Sequence, residues 1–471
     1  MSRSIKVRPT SLALIIGFSV FSGAGVQAAD HPPASSIIEQ GKYLSVAADC
    51  GACHNSPHDG APMAGGYAIA SPMGNIIASN ITPSVTDGIG HYTEAQFARA
   101  VRQGINARGD HLYPAMPYTA YSKLTNSDIH ALYQYFMHDV PAVNIAVPAT
   151  KLPFPFSIRS SMAIWNMLFA GGQPFTPDSR QSAQLNRGNY LVNGLAHCDA
   201  CHTPRNFLMG QKNDQALSGG QVGSWYAPNI TSDKTAGIGS WTDDELVQYL
   251  KTGHVAGKAQ AAGPMAEAIE NSLQYLSDED LRAIVLWLRQ VPPSTATALT
   301  SRFTQGAASD SEAALRATEH PDAGWQIFSN SCANCHQANG EGSQFYPSLF
   351  HNSATGAAQP DNLVATILFG VRRHTGDQYV AMPAFGPAAS FADRLTDQQI
   401  AAVANYVLKN YGNAALTVTA DQVKTLREGG PTPAIAYLSH PAILTAGAVI
   451  LVLILLLIVS ALRRRGKHVR K

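Results

Sequence analysis

The chain has 471 residues, 45% hydrophobic and 14% charged, with a formal net charge of +1. That length allows about three domains. Nine of the 33 basic residues lie in the first 28 and last nine positions, which hold no acid; the remainder carries 24 Lys and Arg against 32 Asp and Glu, and that acidic surplus argues against nucleic acid as a partner.

Residues 1–28 read as a secretory signal peptide. Arg3, Lys6 and Arg8 form a basic start, Ser11 to Ser22 is mostly apolar, and Val26-Gln27-Ala28 supplies small residues at the expected cleavage positions. The apolar run is too short to span a bilayer comfortably. Export of the chain from residue 29 onward is therefore expected.

Beyond the signal one pentapeptide occurs three times: Cys50-Gly-Ala-Cys53-His54, Cys198-Asp-Ala-Cys201-His202 and Cys332-Ala-Asn-Cys335-His336. Cys-x-x-Cys-His is the attachment signature of a c-type haem, with two thioethers to the porphyrin edge and the His as proximal iron ligand. The alternatives for a lone Cys-x-x-Cys are a redox dithiol or half a zinc site. A redox dithiol does not need the following His, and a four-Cys zinc site would leave one pair over. The six cysteines of the chain are all used by the three motifs, so three covalent haems are expected.

Each motif sits in a longer repeat. Before it lies a short helical signal: Gly41-Lys-Tyr43-Leu44, Gly188-Asn-Tyr190-Leu191 and Gly324-Trp325-Gln-Ile327. After it comes a capped helix start: Leu124-Thr-Asn-Ser-Asp128, Leu276-Ser-Asp-Glu-Asp280 and Leu395-Thr-Asp-Gln-Gln399. Eleven residues past each leading Leu stands an aromatic, Tyr135, Trp287 or Tyr406. The pattern predicts that each repeat packs its first helix across its last, with the Gly allowing close approach to the aromatic. The first two repeats also share Asn80-Ile-Thr and Asn229-Ile-Thr, each ahead of a Gly-Ile-Gly, and Tyr92 matches Trp241. Recurrence at the same place favours a structural turn or a haem-edge contact over a glycosylation site.

The segment Pro141 to Pro177 contains Leu152-Pro-Phe-Pro-Phe156 and Met162-Ala-Ile-Trp-Asn-Met-Leu-Phe169, too apolar for a free linker. It reads as a strap on a haem domain or on a partner subunit, or as a helix packed on the first domain. Pro292 to Asp310 is small and polar and reads as a linker. At the other end Pro441 to Leu462 carries no charge and is long enough to span a bilayer as a helix. Arg463, Arg464, Arg465, Lys467, Arg470 and Lys471 come after it, which places the tail in the cytoplasm and the repeats on the far side.

The order of helix, Cys-x-x-Cys-His, Met-bearing loop and helix resembles class I cytochrome c domains. The whole chain resembles the three-haem cytochrome subunit of membrane-bound periplasmic dehydrogenases from acetic acid bacteria and relatives, whose complexes oxidise alcohols, aldehydes, gluconate, fructose or polyols. The fold so expected is mainly α: three tandem class I cytochrome c domains plus one C-terminal transmembrane helix. The domains would occupy 29–145, 181–295 and 319–412, with a strap at 146–180, a linker at 296–318, a connector at 413–440, the span at 441–462 and a basic tail at 463–471.

A haem that only carries electrons needs a sixth ligand, and Met opposite His raises the potential. The candidates are Met116 in Tyr113-Pro-Ala-Met-Pro117, Met265 in Gly263-Pro-Met-Ala266 and Met382 in Ala381-Met-Pro-Ala384. Rivals are Met63 or Met73 for the first haem, Met209 for the second and His374 for the third. Arg205, just after the second motif, is a candidate propionate partner. No second catalytic set is visible: no dinucleotide fingerprint, no phosphate loop, no Ser-His-Asp set. The expectation is an electron-transfer subunit in the inner membrane, without a catalytic site of its own. The resemblance implies a catalytic dehydrogenase subunit with flavin or a quinone cofactor as electron donor, and ubiquinone in the lipid bilayer as acceptor. The long span and the Gly253–Met265 run favour flavin-dependent gluconate, fructose or polyol oxidation over quinoprotein alcohol or aldehyde oxidation. A haem peroxidase, which needs an open iron site, and a terminal-oxidase cytochrome subunit are the readings from other classes.

Overall fold

The computed structural model describes residues 34–468 except 59, 295–299 and 344–345, with side chains from 36 to 460. The expected signal peptide at 1–28 and the last three residues of the basic tail lie outside the described residues. What is described is mainly helical, with only four two-stranded antiparallel hairpins.

The first repeat begins with α1 (Ala34–Ala47) and the motif helix α2 (Cys50–His54). The hairpin of β1 (Ala68–Ile69) and β2 (Ile76–Ile77) leads to α3 (Glu94–Gln103), α4 (Tyr118–Tyr121) and α5 (Asn126–His138). After α6 (Ser161–Phe169) the plan recurs as α7 (Ala183–Tyr190), a wide turn Leu191–Leu195, and the motif helix α8 (Asp199–His202). Then come β3 (Gly220–Val222), β4 (Trp225–Ala227), α9 (Asp243–Thr252), β5 (His254–Val255), β6 (Ala259–Gln260), α10 (Gly263–Asn271) and α11 (Asp278–Leu288). The third repeat runs through α12 (Glu312–Arg316), α13 (Ala323–Ser331), the motif helix α14 (Ala333–His336), α15 (Asp361–Phe369), the hairpin β7 (Val371–Thr375) and β8 (Gln378–Met382), and α16 (Asp397–Tyr411). The connector is not bare: α17 (Ala420–Arg427) buries Val423 and Leu426 in the third repeat's core. Finally, α18 spans Pro441–His468.

The three closing helices start where the caps put them. Thr125 Oγ1 accepts from Asp128 N at 3.2 Å, Ser277 Oγ from Asp280 N at 3.1 Å, and Thr396 Oγ1 from Gln399 N at 3.2 Å. Each crosses the opening helix of its repeat, α1 on α5, α7 on α11 and α13 on α16. The crossing point is a glycine with no room for a Cβ. An added Cβ would lie 2.0 Å from Ala131 O at Gly41, 2.0 Å from Ala283 O at Gly188 and 2.3 Å from Ala402 O at Gly324. The same Cβ would stand 2.7 to 2.9 Å from the Cβ of Tyr135, Trp287 or Tyr406, the aromatics singled out by spacing. Gly188→Val is therefore expected to force α7 off α11 and to cost about 3 kcal/mol, the upper end of overpacking penalties. A thermal melt followed by circular dichroism checks it; an unchanged midpoint would mean that the crossing yields without cost.

The first two repeats share one core. Leu44, Leu124 and Leu132 of the first join Leu191, Leu195 and Ile284 of the second in a single buried cluster, while the third repeat builds its own around Phe328, Ile400 and Tyr411. The joint is also polar and reciprocal. Tyr43 of α1 donates to Asp280 Oδ2 at 2.7 Å, and Tyr190 of α7 donates to Asp128 Oδ2 at 2.5 Å. Each tyrosine oxygen in turn accepts a backbone N–H at the start of the other repeat's closing helix, from Ser277 at 3.2 Å and from Thr125 at 3.1 Å. Arg187 completes one side with two bonds to Asp280, at 2.8 and 2.6 Å, and Gln40 the other with a bond to Asp128 at 3.1 Å.

The strap is held on the first repeat and reaches the second. Tyr113 Oη donates to Phe156 O at 2.9 Å, Tyr118 Oη to Asn166 Oδ1 at 2.7 Å, and Trp165 Nε1 to Leu208 O at 2.9 Å. Ile164, Met167 and Leu168 on α6 stay exposed. Within α18, Pro441–Ser460 has mean hydropathy 3.2 and none of it is buried; by length and composition it can cross a membrane.

Candidate haem sites

Each motif occupies a helix of four or five residues, so its second Cys and its His stand about one turn from the first Cys. None of the six thiols is in a disulfide, and all are half-buried. Burial pushes the Cys50, Cys198 and Cys332 thiols up to about 12. A thiol so held is a poor thiolate and suits a neutral thioether.

The three motif histidines share one arrangement. Nδ1 of His54 donates to Ser79 O at 2.7 Å, that of His202 to Pro228 O at 2.7 Å and that of His336 to Pro347 O at 2.9 Å. The bond fixes the tautomer and leaves Nε2 with a lone pair to offer a metal. Burial keeps the rings neutral, lowering His54 and His336 and taking His202 down to about 4. Neutral imidazole is the form that ligates.

The recurrent Asn-Ile-Thr explains where these carbonyls come from. Ser79 and Pro228 directly precede Asn80 and Asn229. Asn80 Oδ1 accepts from Thr82 N at 2.9 Å and Thr82 Oγ1 at 2.7 Å; Asn229 Oδ1 accepts from Thr231 N at 2.8 Å and Thr231 Oγ1 at 2.7 Å. Ile89 N and Ile238 N, the centres of the two Gly-Ile-Gly runs, then close on Thr82 O and Thr231 O, both at 2.9 Å. The motif is a structural turn that aims a carbonyl at the His of the Cys-x-x-Cys-His. The third repeat presents Pro347 instead.

A large apolar cavity opens beside the second motif. Cys198, Cys201 and His202 line it together with Met265, Trp241 and Tyr249. Ile230, inside the Asn-Ile-Thr turn, contributes to the wall. Met265 is carried by the first turn of α10, whose opening Gly263 has φ +51° and whose next residue is Pro264. The wall is not all from this repeat: Asp49, next to the first motif, and Ser353, Ala354, Asn362 and Thr366 of the third repeat also face it. Met116 packs partly buried on the same core as Cys50, and Met382, at the end of β8, on the same core as Cys332.

Of the rival ligands, Met63 shares the buried core on which Met116 and Cys50 pack. Met63 is buried at φ +58°, and Met209 at φ +64° has its carbonyl held by Arg205. Met73 lies in the turn after β1, its N–H 3.3 Å from Ser71 Oγ. His374 faces α10, with Nδ1 3.2 Å from Glu270 Oε1 and its ring stacked on Tyr379. Arg205 donates to Ala200 O at 2.6 Å and Met209 O at 3.1 Å, so it braces the second motif. Sequence reasoning missed Arg302, from the supposed polar linker, which lines the second cavity. Only its position in the fold, not a local pattern, reveals it.

Repeated motif helices, oriented neutral histidines, buried thiols and an apolar cavity with a Met in its wall fit covalently held haem, and they define a c-type cytochrome. The Cytochrome c family matches residues 321–410. The chain is 48% identical to the fructose dehydrogenase cytochrome subunit of Gluconobacter japonicus, over 93% of both chains. It is 39% identical to the gluconate 2-dehydrogenase cytochrome c subunit of Pantoea cypripedii, over 88% of this chain and 94% of that one. It is 35% identical to the cytochrome c subunit of the quinone alcohol dehydrogenase of Gluconobacter oxydans, over 89% and 87%. The chain belongs to this family of cytochrome c subunits of membrane-bound fructose, gluconate and alcohol dehydrogenase complexes.

Proposed function

We propose that the chain is the three-haem electron-transfer subunit of a periplasmic sugar, sugar-acid or polyol dehydrogenase, folded as three cytochrome c domains at 29–145, 181–295 and 319–412. Cys50 and Cys53, Cys198 and Cys201, and Cys332 and Cys335 would hold the haems. His54, His202 and His336 would be proximal ligands, and Met116, Met265 and Met382 distal ones. When bound, each haem supplies reversible one-electron chemistry. The chain's own contribution is to fix ring orientation through Ser79, Pro228 and Pro347, and to exclude water with its apolar walls.

The observation that carries this reading is the histidine bond to a main-chain carbonyl, repeated in all three motifs. The 48% likeness to a fructose dehydrogenase cytochrome subunit, against 35 to 37% to alcohol dehydrogenase ones, supports a flavin-dependent catalytic partner. The span at Pro441–Ser460 supports a bilayer anchor and ubiquinone as acceptor, with the haem repeats on the periplasmic side. Because residues beside the first motif and in the third repeat face the second cavity, the middle haem would relay between its neighbours.

In membranes of the native host with the oxidase blocked, fructose, gluconate or a polyol is expected to reduce the haems, and a flavoprotein to copurify with the chain. Reduction by ethanol or an aldehyde alone, with a quinoprotein attached, would move it to the alcohol dehydrogenase branch. Reduction by none of them would overturn the proposal.

A further inference from the structure

The linker residue Arg302 has no reason to be where it is if residues 292–310 are only a spacer. Its backbone is gripped by the third repeat: a Cβ on Gly356 would stand 2.0 Å from Arg302 O, and His351 N donates to Gln305 O at 2.9 Å. The next residue, Phe303, is 8% exposed and meets the Trp241 ring edge-on, 5.3 Å between centroids. Together these turn the Arg302 side chain into the cavity that holds Cys198, Cys201 and His202.

Inside, the guanidinium is short of partners. Its Nη2 has one long bond, 3.4 Å to Asn229 O, and its carbon lies 4.8 Å from the Phe303 ring centre. Its Nε is buried and bonds nothing. It forms no ion pair among the described residues. Burial alone draws the group down to about 10, which marks how poorly its charge is compensated. A buried cation is costly unless an anion meets it. The buried carboxylate in the wall, Asp49, does not serve: its Oδ1 is unpartnered, and the two form no ion pair among the described residues. The missing anion must therefore come with whatever fills the cavity. The guanidinium is a planar fork shaped for a carboxylate.

We infer that Arg302 is the propionate anchor of the haem attached at Cys198 and Cys201, reaching it from the linker to the third repeat. The inference rests on the reading that a haem occupies this cavity. At the 149-residue offset that aligns the two Asn-Ile-Thr turns, the first repeat has Pro153 in place of this arginine. A nearby positive charge favours the ferrous state, so Arg302 raises the potential of that haem alone.

The test uses the full-length chain extracted from membranes. Haem content by pyridine haemochrome comes first: fewer than three haems in the unsubstituted chain would overturn the underlying reading, whatever Arg302 does. With three present, Arg302→Gln is expected to lower one of three spectroelectrochemical midpoints by roughly a tenfold shift in its redox equilibrium, ~59 mV for one electron. That component is the one that Met265→Ala also lowers. The propionate bending mode in resonance Raman spectra should shift with it. Arg302→Lys keeps the charge but not the fork, so it should hold the midpoint closer to the unsubstituted value while still moving the Raman mode, and it serves if the Gln variant does not accumulate. Midpoints and Raman mode unchanged in an assembled Gln variant, or an unchanged Raman mode in the Lys variant, would overturn the assignment.

Discussion

Met265→Ala is expected to leave all haem covalently attached and to lower the reduction potential of a single haem. The thioethers proposed at Cys198 and Cys201 and the proposed proximal ring of His202 do not depend on Met265, so attachment should survive. What is lost is a soft thioether facing the same cavity as His202, and Met in that role stabilises ferrous iron. Axial ligation sets haem potentials over about 0.8 V, so a drop on the order of 100 mV is a modest expectation. Part of the charge-transfer absorption of Met-ligated ferric haem should vanish with it. Three unchanged midpoints and an unchanged band would sink the role of Met265. The same substitution at Met116 or Met382 should act on a different component of the titration.

Asp280→Ala is expected to be the most destabilising change at the joint between the first two repeats, costing about 3 kcal/mol. It strips Arg187 of both its bonds, removes the acceptor of Tyr43, and leaves the guanidinium with two thirds of its side chain covered and no counterion. Asp280→Asn should cost less, because one acceptor oxygen remains. Stability should also depend on pH through this group. Burial on its own would raise the Asp280 carboxyl, but the bonds from Arg187 and Tyr43 outweigh it and hold it below the ordinary value of 3.8. A carboxylate with a depressed folded-state pKa contributes stability above its unfolded value and loses it as pH falls through the folded one. Stabilities of the unsubstituted chain and the Asp280→Asn variant should therefore converge as pH falls below about 4. Parallel curves down to about pH 2 would show that the ion pair adds nothing to the joint.

Much of the fold could be read from the chain because its signals are local. Cys-x-x-Cys-His is set by the size of one porphyrin edge, the Ser and Thr caps by the first turn of a helix, and the Gly and aromatic pairs by one helix crossing. The Asn-Ile-Thr recurrence was visible too, but its purpose was not. Only the folded chain brings Ser79 to His54 across 25 residues and Pro228 to His202 across 26. Contacts between repeats were beyond reach for the same reason. Tyr43 and Asp280 are 237 residues apart, and neither stands out in its own segment. Arg205 is near the motif in sequence, and what the fold adds there is two bonds to the backbone around it. Arg302 lies 100 residues from His202, in a stretch whose composition reads as spacer, and shares the cavity with it.

The exchanged tyrosines have a meaning for how the molecule is put together. Tyr43 reaches the other repeat's aspartate as Tyr190 reaches back to Asp128. This is the pattern of an isologous contact, in which residue i of one partner meets j of the other and j meets i. Such contacts ordinarily join two separate copies and weaken on dilution. Here both copies sit on one backbone, so their association is intramolecular and holds at any dilution. The first two repeats should melt together as one cooperative body, ahead of or behind the third, which has a core of its own. A protein with three haem motifs would then unfold in two steps.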